Sequence, residues 1–469
     1  MRGGPQDSAA VSPRDTSYWT VSGSASEFYI RDDSFEVVRD PTQPLNLNDA
    51  ADDHQVHSNV LMSSLDLFAA WGNSEYKSKF RFSGTEEHGF ADDGGDINSV
   101  AALYLDTTIK NWGTTVRVGR QTQSSDGVLG RFDGVWASWQ STPWMRFNIV
   151  GGSPVALRRD EPYKDDKYFY GASVDFGPVL GGFDASLFAI EQWDRDIIDR
   201  QAVGGELRYV DLTKSAFLTV DYDTHFQELN AVIFNGSLTL PDKSSLRASA
   251  DYRKSPYLST WTALQGQQYK TLYDMLRANI YSEQDVQQMA IDRTATYKAA
   301  SVGHTRQITD KLQANLDLTA DHIDGTIQSY GIDATPSTGT EFYYSAQLVG
   351  NNLLTPDDLW TAAIRYSNLQ ECDNYAVDLS SRYAVTKDLR VTPRVTASYR
   401  EGKNTDLSEY SVIPSLLLDY FWMKDLNLEL EVGTRFTWRQ EDLVDTRDTE
   451  VFITAGIRYD FYAGSDRLK

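Results

Sequence analysis

Residues 389–400 read LRVTPRVTASYR, and their alternation decides the fold. Leu389, Val391, Pro393, Val395, Ala397 and Tyr399 take every second position, with Arg390, Thr392, Arg394, Thr396, Ser398 and Arg400 between them. Successive side chains of a β-strand leave opposite faces, so this segment has one apolar side and one wet side. Residues 312–320 repeat the device, with Leu312, Ala314, Leu316, Leu318 and Ala320 against Gln313, Asn315, Asp317 and Thr319. Residues 426–438 repeat it again, with Leu426, Leu428, Leu430, Val432, Phe436 and Trp438 against Asn427, Glu429, Glu431, Arg435 and Thr437. Working outward, the alternation runs from Tyr18 to Tyr462 in about 22 segments of ~10 residues, within a range of roughly 16–22.

The connections alternate in length. Short ones fall near Gly72–Ser74, Lys110–Gly113, Ser141–Pro143, Gly177–Gly181, Asp211–Lys214, Pro241–Lys243, Gln307–Lys311, Thr355–Asp358, Thr386–Asp388 and Trp422–Asp425. Longer Asp/Gly/Ser-rich loops lie between them at 32–58, 86–96, 153–166, 255–293, 324–340 and 439–448. At Phe226–Leu229 the connection is short where a long loop is due. The pattern predicts an all-β, up-and-down antiparallel transmembrane β-barrel with short periplasmic turns, an even strand number and both termini periplasmic. The expected divisions are an N-terminal segment 1–16, a barrel 17–462 and a tail 463–469. Residues 1–16 have no apolar stretch of the kind a signal peptide carries.

Composition agrees. The 469 residues carry 67 acidic against 44 basic side chains, a net charge of −23, which argues against a nucleic-acid partner. No run of ~18–20 apolar residues exists, so no transmembrane helix is expected. Cys372 is the sole cysteine, which removes internal disulfides and cysteine-based zinc or haem motifs. His54 and His57 share a loop with Asp52 and Asp53, where a polar loop is the simpler reading than a metal site. No catalytic constellation and no cofactor is expected. The glycines of 119–134 precede no helix, so they read as tight turns and close strand approach rather than a phosphate cradle.

Three groups of residues are candidates for function. Trp19, Trp71, Trp112, Trp139, Trp144, Trp360 and Trp422 lie at the short-turn ends, where indole suits a membrane interface against lipid and lipopolysaccharide. Arg247, Arg365, Arg382, Arg390, Arg394 and Arg400 fall on wet faces with Asp317, Glu429 and Glu431. Facing rows of opposite charge would set up a transverse field in a pore, and the alternative is that they pair and solvate the wall. Residues 255–293 hold Leu264, Tyr269, Leu272, Met275 and Leu276 at helical spacing. Ser282 and Asp285 then open a second helical stretch with Val286, Met289 and Ile291. Such amphipathic helices need an apolar seat, either as a plug or lid of the lumen or as a cap on neighbouring loops.

The stretches GRQTQSSDGVLGRFDGVWASWQ (119–140) and DRQAVGGELRYVD (199–211), with the 255–293 insertion, resemble the C-terminal barrel region of large Gram-negative outer-membrane proteins. In those chains a periplasmic array of tetratricopeptide repeats precedes the barrel. The strand Val451–Phe461 also looks like the closing strand that the barrel-assembly machinery recognises. The resemblance implies an export pore for a polar polymer such as a polysaccharide, with a periplasmic repeat scaffold as partner. The acidic excess disfavours a polyanion as cargo and leaves neutral or cationic sugars. The second expectation is structural, a sleeve or anchor around a threaded protein, including an electron-conduit partner. An outer-membrane enzyme with its site among the outer loops stands third.

Overall fold

The computed structural model describes residues 17–39, 53–90, 95–123, 127–155, 166–179, 181–441 and 444–465. Its strands are β1 (Tyr18–Arg39), β2 (Asp53–Gly72), β3 (Tyr76–Gly89), β4 (Ile97–Ile109), β5 (Thr114–Gln123), β6 (Gly130–Thr142), β7 (Met145–Pro154) and β8 (Lys167–Val179). There follow β9 (Phe183–Asp194), β10 (Ile197–Val210), β11 (Lys214–Asp223), β12 (Glu228–Thr239), β13 (Ser245–Ser255), β14 (Ala295–Thr309) and β15 (Leu312–Ile323). The last are β16 (Thr340–Asn351), β17 (Leu359–Asn368), β18 (Cys372–Ala384), β19 (Leu389–Gly402), β20 (Ser408–Met423), β21 (Leu426–Glu441) and β22 (Val444–Gly464). Each strand pairs antiparallel with its sequence neighbours, and β22 returns to β1, giving a closed barrel of 22 strands. Two helices, α1 (Leu272–Arg277) and α2 (Glu283–Asp292), lie between β13 and β14.

The register carries the sequence alternation round the wall. Leu316, Ala346, Ile364, Val377, Ala397, Val412 and Phe436 are successive cross-strand partners on one face. The next row, Asp317, Ser345, Arg365, Ala376, Ser398, Ser411 and Thr437, faces the other way. The apolar rows form the outer face, and the polar rows line the lumen.

Closure is pinned by shape. β1 and β22 pair from Thr20↔Gly464 to Arg39↔Asp445 without a break. Along this seam Phe461 lies opposite Gly23, Phe28 opposite Gly456, and Phe452 opposite Gly433 on the adjoining β21. A Cβ on Gly456 would come within 2.2 Å of the Phe28 ring, and one on Gly23 within 2.6 Å of Phe461. Each ring lies over a glycine with no side chain to oppose it, so a register slip would drive the rings into occupied positions.

Several expected boundaries shift. β1 continues to Arg39 and β2 begins at Asp53, so the loop expected over 32–58 contracts to 40–52, outside the described residues. The metal reading of Asp52, Asp53, His54 and His57 falls largely there, since only the His57 side chain is described. The loop expected over 439–448 is mostly strand, because β21 reaches Glu441 and β22 starts at Val444. These extensions are mostly polar in sequence, with only scattered apolar residues such as Phe35, Val56 and Val444, and the hydrogen-bond ladder continues where the alternation weakens. β22 runs to Gly464, two residues past the expected end of the barrel. The expected segment 1–16 and most of the tail lie outside the described residues.

Gly456→Val is expected to abolish the folded, heat-modifiable form on SDS gels by colliding with Phe28 at the seam. Leu318→Val, on the open outer face, is expected to leave that form unchanged.

Candidate functional site

The inner wall divides into a wet arc and a dry arc. On the wet arc, arginines meet carboxylates on adjacent strands: Arg81–Asp66 at 2.5 Å, Arg146–Asp175 at 2.9 Å, Arg208–Asp184 at 2.8 Å and Arg365–Asp378 at 2.7 Å. Two pairs reach across an intervening strand. Arg247 approaches Asp317 to 3.8 Å over Gly303, whose missing side chain leaves the space. Arg394 reaches Glu431 at 3.3 Å over β20, where Ser415 also donates to Glu431. Arg400 lies 3.8 Å from Glu409, and the Arg390 guanidinium stacks 4.8 Å above the Phe421 ring. Glu429 stands opposite Asp419, and Arg382 shares the inner face with Leu359. The charge rows therefore sit side by side on one wall. Their attraction is spent mainly between neighbours, which is the pairing alternative.

The dry arc covers the inner face at the long-loop ends of β5–β13. Inward side chains in an open lumen stay wet, as Arg247 does at 61% exposure. Here they do not. Phe132, Phe169, Ile190 and Ala202 are buried together with Val128, which the loop between β5 and β6 folds back over the wall. Phe132 and Phe169 meet edge to face at 5.1 Å. Gly127 (φ +78°) makes this fold possible: a Cβ there would sit 2.5 Å from the Phe188 ring. The glycines of 119–134 thus serve tight turns and close approach, with Gly134 directly opposite Gly152. Beside this cluster the Arg200–Asp221 ion pair is 5% and 3% exposed, with Asn230 donating to Asp221 at 3.1 Å.

Residues 256–294 complete the cover. α1 and α2 enclose a core of Leu258, Ala263, Leu272, Met275, Val286, Met289 and Ala290, with Leu276 packed against it. Phe226 enters this core from the β11–β12 turn, and Ile197 packs on it from the start of β10. The expected gate residues Leu272, Met275, Leu276, Val286 and Met289 therefore build the insert itself and do not line an aperture. The insert's seat is the pair of short hairpins at the same end, β9–β10 and β11–β12. Thr260 Oγ1 donates to the Ile198 carbonyl at 2.6 Å, the Trp261 N–H to Asp199 at 3.1 Å, and Gln287 Nε2 to the His225 carbonyl at 2.5 Å. This explains the short connection at Phe226–Leu229: a longer loop would occupy the seat. These are contacts of a cap on its neighbours. Leu264 and Tyr269 depart from the expected helix, since Gly266 (φ +72°) breaks the chain before α1.

Ser282 and Asp285 form the expected start of α2 as a capping box. The Ser282 hydroxyl and N–H, with the Tyr330 hydroxyl, hold the Asp285 carboxyl below the usual carboxylate range. Burial lowers the His225 imidazole at the β11–β12 turn, which favours its neutral form.

The seven tryptophans lie at the short-turn end. Trp19 opposes Trp71, Trp139 stacks on Phe147, Trp144 on Phe176, and Trp360 meets Tyr383 edge to face. Trp112 and Trp422 are the most exposed of the seven, at 69% and 62%. An unexpected second belt lies at the long-loop end. Tyr344, Tyr366, Tyr375, Tyr399 and Tyr410 are direct cross-strand partners on the outer face. Their rings stack in sequence at 5.7, 4.9, 6.2 and 4.5 Å. Tyr375 and Tyr383 on β18, and Tyr410 and Tyr420 on β20, bracket the apolar band. At ~3.3 Å per residue and ~40° tilt the spacing is roughly 20–25 Å, the height of a membrane-spanning apolar band.

No protein-family model and no curated protein matches the chain. Solved structures resemble it only remotely. The P pilus usher PapC translocation pore aligns at 8% identity over 93% of this chain and 99% of its own, with a TM-score of 0.38. A BenF-like porin from Pseudomonas fluorescens Pf-5 aligns at 11% identity over 95% and 99%, with a TM-score of 0.42. Pseudomonas aeruginosa OccK1 aligns at 9% identity over 94% and 99%, with a TM-score of 0.40.

Arg200→Ala is expected to cost roughly 3–5 kcal/mol in guanidinium unfolding, because Asp221 stays buried without its partner. Arg247→Ala on the wet arc is expected to cost under ~1 kcal/mol. A lowered Asp285 stabilises the cap above the ordinary Asp range and loses that effect only as pH falls through its lowered value. Proteolysis between α1 and α2 should therefore be the same at neutral pH and at about pH 5, and rise only in stronger acid.

Proposed function

We propose that the chain is an outer-membrane channel of a Gram-negative bacterium, with the short turns and both termini on the periplasmic side. One observation carries the reading: a closed barrel with an apolar band between aromatic belts encloses a wet wall of paired charges. A wall of this kind replaces the hydration of a polar solute without holding it, because most of the local charges already have a partner. The cargo is a polar solute or polymer. Its polysaccharide form follows from the resemblance of 119–140, 199–211 and 255–293, and the acidic balance favours neutral or cationic sugars over polyanions. Residues 256–294 and the loop at Gly127–Gly130 narrow the outer half of the lumen. The proposed role is transport and involves no catalysis.

The width of the barrel favours a second reading, a sleeve around another polypeptide. Lumens of 22 strands are usually plugged, and the dry arc covers only part of this wall. Planar-bilayer conductance separates the two. Wild-type protein should conduct weakly or intermittently, and replacement of 256–294 by a short Gly/Ser turn should give a large ohmic conductance. Silence from both forms, with a co-purifying polypeptide, would sink the channel in favour of the sleeve.

A further inference from the structure

The loop at Gly127–Gly130 and the insert 256–294 are far apart in sequence, yet one buried chain of hydrogen bonds joins them. The Leu258 N–H of the insert donates to Asn230 Oδ1 at 3.1 Å. Asn230 Nδ2 donates to Asp221 Oδ1 at 3.1 Å. Asp221 Oδ2 accepts from Arg200 Nη2, and Arg200 Nη1 donates to the Gly127 carbonyl at 3.0 Å. Asn230 is placed for this role by a bulge in β12, where the pairing passes from Asp221↔Ala231 to Tyr222↔Leu229 and skips it. The outer end of β10 serves both covers. Ile197, Ile198 and Asp199 hold the insert, while Arg200 and Ala202 hold the loop.

We infer that loop and insert form one coupled cover, with Arg200, Asp221 and Asn230 as its positioning residues, so that opening one loosens the other. The physical cause is desolvation. Each segment helps exclude water from the same ion pair, and an ion pair in a dry site orders its hydrogen-bond partners more strongly than one in water. A cover that lifts admits water to the pair and weakens its hold on the remaining cover. The consequence for conduction rests on the channel reading; the tie itself rests on the geometry.

Site-specific thiol labelling tests it. In a Cys372→Ser background, Val128→Cys reports on the loop and Ala290→Cys on the insert, since both positions are buried. Asn230→Ala breaks the tie on the insert side without touching the loop. Labelling by a small water-soluble maleimide should then quicken at both positions, by about fivefold or more. Arg200→Lys, which keeps the charge but cannot reach both partners, should do the same from the loop side. Faster labelling at the nearer position alone, or at neither, would overturn the coupling. Asn230→Ser serves if the alanine variant lacks the heat-modifiable folded form. Matched labelling in a barrel that conducts nothing would overturn the channel and keep the coupling, and unmatched labelling in a conducting barrel would do the reverse.

Discussion

In hydrocarbon an unpaired backbone N–H or C=O costs several kcal/mol, and no water is present to satisfy it. The rest of this structure depends on that constraint. It requires β22 to find β1, and it leaves the register of the closing pair as the one long-range choice the chain must make correctly. The rings of Phe28 and Phe461 over their glycines make that choice by volume. The constraint also explains why strands can be made of alternating polar and apolar residues at all. Once the ladder is closed, only the outer face must be apolar, and the inner face is released for charge.

That release is used in two ways. Around most of the lumen the charges stay in water and pair with neighbours, which contributes little to stability and gives a mild, mixed surface. At the long-loop ends of β5–β13 the same kind of inward side chain is covered and becomes a packed interior. Arg200 and Arg247 differ less in identity or alternation than in what lies over them.

The barrel was legible because alternation is a local property: three stretches, 312–320, 389–400 and 426–438, suffice to identify wall and faces. The turn positions were legible for the same reason, and so was α2, whose capping box is written in Ser282 and Asp285. The dry arc was not, because period-two alternation marks which side a residue faces and says nothing of what covers it. Gly127-Val128-Leu129-Gly130 shows only a flexible loop in sequence, and its seat against Phe132 and Phe169 depends on contacts across several strands. The gate residues were found as an apolar set but read as a gate or plug of the lumen, since helical spacing cannot separate a helix that covers something from helices that pack on one another. The tyrosine belt escaped because its members are far apart in sequence and meet only through register.

The division of the wall has a consequence for how such a chain can change. On the wet arc, exchanging Arg365 and Asp378, or removing both, alters the lumen surface and leaves the ladder intact. Under the dry arc a substitution must satisfy volume, hydrogen bonding and charge together, as in the interior of a water-soluble domain. The lumen surface can therefore drift in sequence along one part of this barrel while the covered part holds its sequence nearly still.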